Sequence, residues 1–296
     1  MTSHATDTPT PAATCARAMW ALLEPVHAVT YFAPEARAAF EEAGLRGFWR
    51  GYFAGRAAPL GPVGPEPVVA AFFGFAPAMV ARALPAVWQI AGPARAVEIR
   101  RAGAGAALRR LLQGHQEEVA RAGDALLAVA VRLDLGGRVL GAANAALPVP
   151  RDPVDRLWHA TTILREHRGD GHVAALVAAD LDGCETLVLR SGVDLPRTEL
   201  QPYRGWTDQE WAAARDRLAG RGLLDPEGSA TAEGRRVLEA VERATDRAAA
   251  RPWQGLAVEE RRRLAALLTP LAHACGTALR FPNPIGLPKP VPPAGP

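Results

Sequence analysis

The segment Leu164–Leu176 reads LREHRGDGHVAAL and gathers Glu166, His167, Arg168, Asp170 and His172 within seven positions. Two imidazoles, two carboxylates and a guanidinium at this spacing have the ingredients for acid/base chemistry. If Gly169-Asp170-Gly171 is a turn between two helices, His167 lies near a helix C-terminus, where the dipole favours the protonated ring. His172 then lies in the first turn of the next helix, where the neutral ring is favoured, and Asp170 caps that helix. Such a pair splits into an acid and a base. His172 is then the base, His167 the acid or oxyanion partner, with Glu166 and Asp170 beside them. The alternative reading of His167, Asp170 and His172 is a divalent metal site. The H-x-x-D-x-H spacing matches neither HExxH nor a zinc ribbon, and no organic cofactor is expected. A third reading is structural: Asp170 caps, Arg168 and Glu166 pair, and the histidines bond backbone groups.

Partners for this cluster come from the first half of the chain. Arg56 precedes a Gly/Pro-rich loop and is expected to clamp a carboxylate or phosphate, or to pair with Glu66 or another acid. His27 and Tyr31 stand at i, i+4 and, with Arg168, complete the expected ligand-binding set. Trp49, Tyr52, Phe53, Phe72, Phe73 and Phe75 line an apolar cavity or form core. No nucleophile elbow, Walker loop or dinucleotide fingerprint is present, and Cys184 has no neighbouring base.

The elements that position these residues read as helices. Residues 15–24 have helical spacing and stop at Pro25; a second helix starts at Pro34 and stops before Gly44. Residues 66–84 read as a buried helix, apolar nearly all round, and a long amphipathic stretch runs from Pro93 to about Val131. Asp152-Pro153 opens a further helix. The TDQE of Thr207–Glu210 is a capping box, Gly222 closes its helix, and DPEGSATAEG reads as a wing before another long helix.

The fold class expected is mainly α, with a disordered leader over 1–14 and an N-terminal helical domain over 15–149. A winged helix-turn-helix-like domain follows over 150–280, and a proline-rich tail over 281–296 is either docked or disordered. The chain has 296 residues, a formal charge of +3 and three widely spaced cysteines. These bound a cytoplasmic protein without a disulfide framework or a membrane span.

The phrases RDRLAGRGLL and ATAEGRRVLEAVE resemble the winged helix-turn-helix of MarR-type regulators. EPVHAVTYFAPE, GYFAGRAAPLGPV, LREHRGDGHVAAL, RGWTDQEW and NPIGLP together resemble an actinobacterial family of helix-turn-helix-containing proteins. That resemblance implies the architecture and brings no reaction or cofactor with it. Against DNA reading stand Asp208 and Glu210 at the start of the recognition helix and Asp225 and Glu227 in the wing, all of which repel phosphate.

The leading expectation is therefore a protein that binds a small organic ligand between its two domains. If catalytic, it is a hydrolase, isomerase, lyase or cyclase without a cofactor. The alternatives are a ligand-responsive DNA-binding regulator and a homodimeric interaction scaffold.

Overall fold

Helix-forming patterns and capping signals cover the chain, and the computed structural model of residues 10–287 and 289–290 is built from helices. Among the described residues these are α1 (Pro11–Phe32), α2 (Pro34–Glu42), α3 (Phe48–Ala57), α4 (Pro65–Phe72), α5 (Pro77–Ala81), α6 (Pro93–Leu111) and α7 (Gln116–Ala130). There follow α8 (Val139–Ala145), α9 (Pro153–Ala178), α10 (Gly183–Ser191), α11 (Arg197–Leu200), α12 (Asp208–Gly220), α13 (Ala232–Gln254) and α14 (Val258–Gly276). The β-structure described is one antiparallel bridge, Leu224 to Ala230.

Several boundaries follow the local chemistry. Pro34 opens α2 with Glu35 in its first turn, Asp152 caps α9 through the Val154 and Asp155 amides, and Thr207 with Glu210 forms the capping box of α12. Others differ from the sequence expectation. The stop at Pro25 is absent: α1 runs through it to Phe32. Val26, Ala28 and Val29 beyond it are fully buried, and that burial outweighs the ~3 kcal/mol cost of an interior proline. The same helix begins at Pro11, capped by the Thr10 hydroxyl, so residues 11–14 of the expected leader are helical. Residues 1–9 lie outside the described residues.

The single buried helix over 66–84 is instead two, α4 and α5. They part at Phe73, which adopts φ 58°, just ahead of Gly74 and Pro77. The stretch from Pro93 to Val131 is likewise divided into α6 and α7 at Gly114, φ 87°.

The largest correction falls on the GDG stretch. It is no turn: α9 runs unbroken from Pro153 to Ala178 and carries Gly169, Asp170 and Gly171 inside it. Close approach explains the second glycine. A Cβ on Gly171 would lie 2.1 Å from an Arg138 guanidinium nitrogen and 3.3 Å from the Ala248 methyl. Arg138 uses that space to donate to the carbonyls of His167 (3.1 Å) and Ala248 (3.1 Å), tying α9 to α13.

The packing is organised around α1 and α9. The main core joins Val26 and Val29 of α1 to Leu108 of α6, Leu126 of α7, Leu157 and Trp158 of α9, Trp253 of α13 and Leu268 of α14. It therefore draws on both sides of the expected junction at 149/150. A second core holds Phe53, Phe72 and Phe75, so those aromatics are core. A third joins α10 to α13, with Leu189 of α10, Trp211 and Leu218 of α12 and Val241 of α13. The expected wing is a short loop closed by the Leu224–Ala230 bridge and by Asp225, whose carboxylate accepts from the Ser229 amide at 2.7 Å.

Residues 281–287 dock, burying Leu287 beside Ala28 of α1. Asn283 fixes them by exchanging two hydrogen bonds with the Leu287 backbone at 3.0 Å. Residues 291–296 of the expected tail lie outside the described residues. No described helix is long and apolar enough to cross a membrane.

Candidate functional site

Two turns of α9, Thr161 to His167, are buried but for Arg165 and turn polar side chains into the protein. Glu166 is fully buried and accepts from Arg56 twice, Nε to Oε1 and Nη2 to Oε2, both at 3.0 Å. Arg165 donates to Glu166 at 2.8 Å and to Glu24 at 3.2 Å, and Trp20 donates to the far oxygen of Glu24 at 2.9 Å. The result is an alternating ladder, Glu24–Arg165–Glu166–Arg56, that links α1, α9 and α3. Burial alone would raise the Glu166 carboxyl, but Arg165 and Arg56 beside it hold it well below the usual carboxylate range. Arg56 thus takes the alternative expected for it, an ion pair inside the protein, and the acid is Glu166 instead of Glu66.

A second chain of hydrogen bonds runs alongside. The Thr162 hydroxyl donates to the Trp158 carbonyl at 2.7 Å, so it accepts from His27 Nδ1 at 3.0 Å. The hydrogen on Nδ1 leaves Nε2 as an acceptor, and Tyr31 OH lies 3.0 Å from it. This assignment makes His27 a neutral ring that accepts a hydrogen bond from the Tyr31 hydroxyl. Burial, reinforced by Arg165, pushes the imidazole well below its ordinary value, and burial pushes the Tyr31 phenol up. His27 and Tyr31 thus meet as expected, next to Arg56 through Tyr52, whose hydroxyl accepts from Arg56 at 3.2 Å.

The other residues of the 166–172 cluster turn to three different elements. Asp170 does cap a helix, but not its own: its Oδ2 accepts from the Gly141 amide at 2.8 Å, in the first turn of α8. His167 Nε2 lies 3.2 Å from the Asp134 carbonyl. Burial and the nearby Arg138 push this ring down to about 4. His172 Nδ1 lies 3.0 Å from Thr245 Oγ1 on α13. The Thr245 hydroxyl donates to the Val241 carbonyl at 2.8 Å, so it accepts from His172 Nδ1 and leaves Nε2 with its lone pair. Burial pushes this ring too down to about 4, against Glu242. The helix-end dipoles invoked for the two histidines are absent, since α9 is continuous; burial keeps both rings neutral. Among the described residues no three histidine, cysteine or acidic side chains converge to hold a metal.

His172 and Arg168 do share a space. A cleft of about 680 Å³ opens between α1, α9, α10, α13 and residues 285–286. Trp20, Leu176, Leu238 and Ile285 give it apolar walls, while Glu24 and Arg165 bring the end of the buried ladder to its surface. Arg168 stacks over Trp20 at 4.5 Å and bonds Asp246 at 3.1 Å. Glu166, His167 and Asp170 do not line it. The residues that sequence reasoning missed are Trp20, Arg165 and Arg190. Arg165 lay inside the quoted segment, but its role depends on Glu24, 141 positions away.

The surface around α12 has a different character. On α12, Arg217 binds Asp182 at 2.6 Å and Glu185 at 2.7 Å, and Arg215 donates to the Pro226 carbonyl. Arg197 binds Asp208 at 2.5 Å, and Arg221 donates to the Asp180 carbonyl at 2.6 Å. The face between these pairs exposes Gln209, Ala212, Ala213 and Asp216. The segment leading into α12 is fastened to the first half of the chain. Trp206 Nε1 donates to the Gly74 carbonyl at 3.0 Å, and the Arg204 carbonyl accepts from the Ala76 amide at 2.8 Å.

Comparison with curated proteins and with solved structures gives no match. Comparison with protein families matches residues 16–282, spanning both the α1–α9 bundle and the α10–α13 unit. The chain belongs to this family, described as the Helix-turn-helix family.

Proposed function

We propose that this protein binds a small organic molecule in the cleft between α1 and the α10–α13 unit, and that the helix-turn-helix serves as a wall of that cleft. The carrying observation is the cleft itself. Its volume of about 680 Å³ is in the range of ligand pockets, and its walls combine the apolar Trp20, Leu176, Leu238 and Ile285 with His172 and a set of arginines and carboxylates. His172 presents Nε2 as an acceptor, so a ligand hydroxyl or N–H facing it would be recognised. Acid/base chemistry on the ligand, of the hydrolase, isomerase, lyase or cyclase kind, would have His172 as its base.

The competing reading is a DNA-binding regulator, and family membership favours it. The electrostatics of α12 speak against it. A groove reader keeps its arginines for phosphates, whereas Arg197 and Arg217 are spent on Asp208, Asp182 and Glu185.

A thermal-shift screen of polar metabolites, run beside a mobility-shift assay with mixed-sequence duplex DNA at about 50 mM salt, separates the readings. Saturable stabilisation by a compound, lost in Leu238→Trp, which fills the cleft, is the result expected. Retention of DNA that weakens steeply with salt, with no stabilising compound, would establish the regulator instead.

A further inference from the structure

Of the charged side chains that line the cleft, all but two are held by a hydrogen-bonded partner. Arg17 and Arg168 share Glu242, Arg165 holds Glu24, and Arg190 grips Asp194. The exceptions are Arg235 and Glu239, one turn apart on α13. The Arg235 side chain has no partner among the described residues. Glu239 meets only Arg243, at 3.7 Å, beyond hydrogen-bond distance. The same spacing, arginine first and acid four residues on, forms pairs elsewhere in this chain: Arg37 with Glu41 at 2.8 Å and Arg190 with Asp194 at 3.2 Å. Arg235 and Glu239 make no such pair, and both line the cleft.

α10 closes this end of the cleft from the other side. The Ala230 amide donates to the Gly192 carbonyl at 2.9 Å, and a Cβ on Gly234 would stand 3.0 Å from Leu189 Cδ1. These contacts set the last turn of α10 against the first turn of α13. Arg190 and Arg235 directly follow Leu189 and Gly234 in sequence, and both line the cleft. Arg190 spends Nε and Nη2 on Asp194 and leaves Nη1 without a bond. Leu238, which stands between Arg235 and Glu239 on α13, and Leu176 of α9 supply apolar wall beside these charges.

We infer that the cleft's ligand is a zwitterion of amino-acid or dipeptide size, with its carboxylate on Arg235, its ammonium on Glu239 and its apolar side chain along Leu238 and Leu176. A guanidinium suits the carboxylate because it offers paired donors in a plane. Four residues of helix separate Arg235 from Glu239 by about 6 Å along the axis, a span on the scale of such a molecule's two charged ends. A ligand of one sign would leave one of the two side chains unmatched. The inference rests on the cleft reading above and narrows it to ligands that carry both charges.

The test is calorimetric titration of the full chain at neutral pH and constant ionic strength with four probes. Phenylalanine and glycyl-phenylalanine carry both charges, 3-phenylpropanoate keeps the carboxylate alone, and phenethylamine keeps the ammonium alone. Saturable binding of phenylalanine or the dipeptide, at least about fivefold tighter than that of either single-charge probe, is expected. Arg235→Gln should leave the zwitterion binding no tighter than phenethylamine, and Glu239→Gln no tighter than 3-phenylpropanoate. Melting curves establish that both variants fold. A single-charge probe that binds as tightly as the zwitterions, or zwitterion binding unchanged in either variant, would overturn the inference and leave the cleft reading standing. Absence of saturable binding of both zwitterions to the folded wild type would also overturn it. The cleft reading falls only if the metabolite screen is empty as well.

Discussion

Arg56 and Arg217 each grip carboxylate oxygens through Nε and Nη2, yet they do so in opposite settings. Arg56 and Glu166 are 10% and 1% exposed as side chains, whereas Arg217 and Asp182 are 49% and 52% exposed. The chemistry is the same and the energetics are not. In water the pair gains about 0–1 kcal/mol, because solvent competes for both ions. In the interior neither ion has an alternative, so removing one partner strands the other at a cost of about 3–5 kcal/mol. The bundle around α9 thus depends on this pair, whereas Arg217 grips Asp182 in solvent and shares the buried Glu185 with Arg221.

Acid gives the largest effect that could break this contrast. His159, His167 and His172 are each pushed down to about 4 by burial, and burial pushes His27 down as well. Above pH 6.5 these rings are neutral whether the chain is folded or not. Between about 6.5 and 4 the unfolded chain takes up protons that the folded one refuses, so stability falls with pH. Unfolding at pH 5 is expected to bind roughly three protons, read from the slope of stability against pH. A melting temperature flat from pH 7 to 5 would contradict the burial of these rings.

Glu166→Gln comes next. It leaves Arg56 and Arg165 facing each other without their shared acid, and a loss of about 3–5 kcal/mol in denaturant unfolding is expected. A smaller pair of changes tests the continuous α9. Gly171→Ala displaces Arg138 from its two carbonyls and should cost about 1–3 kcal/mol. Gly169→Ala meets nothing nearer than 3.7 Å and should gain about 0.5–1 kcal/mol by helix propensity. Loss of stability at Gly169 would restore the turn. Last, Arg217→Ala should cost no more than about 1 kcal/mol; a loss as large as that of Glu166→Gln would erase the distinction between the two regions.

Caps and prolines made much of the fold legible. Pro34, Asp152 and the Thr207–Glu210 box each mark a helix start by local chemistry alone, and the mainly helical class followed from them. What was not legible depended on distant partners. Nothing near Pro25 announces that α1 is buried on several sides, and nothing near GDG announces that Arg138 fills the space over Gly171. The same holds for the site. Arg56, His27, Tyr31 and Glu166 were selected by type and do meet, because buried polar groups must find one another. Their grouping with His167, Asp170 and His172 assumed adjacency in space from adjacency in sequence. A helix instead sends neighbours to different faces, and these three face the 134 loop, α8 and α13.

The Asp170 contact with the Gly141 amide bears on the order in which the chain assembles. α8 has seven residues, too few to persist alone, and its first turn takes its cap from a residue 29 positions later. It can become helical only once α9 has formed and come alongside. In refolding followed by pulsed hydrogen exchange, amides of α9 should gain protection before those of α8. Asp170→Asn should delay the latter and spare the former.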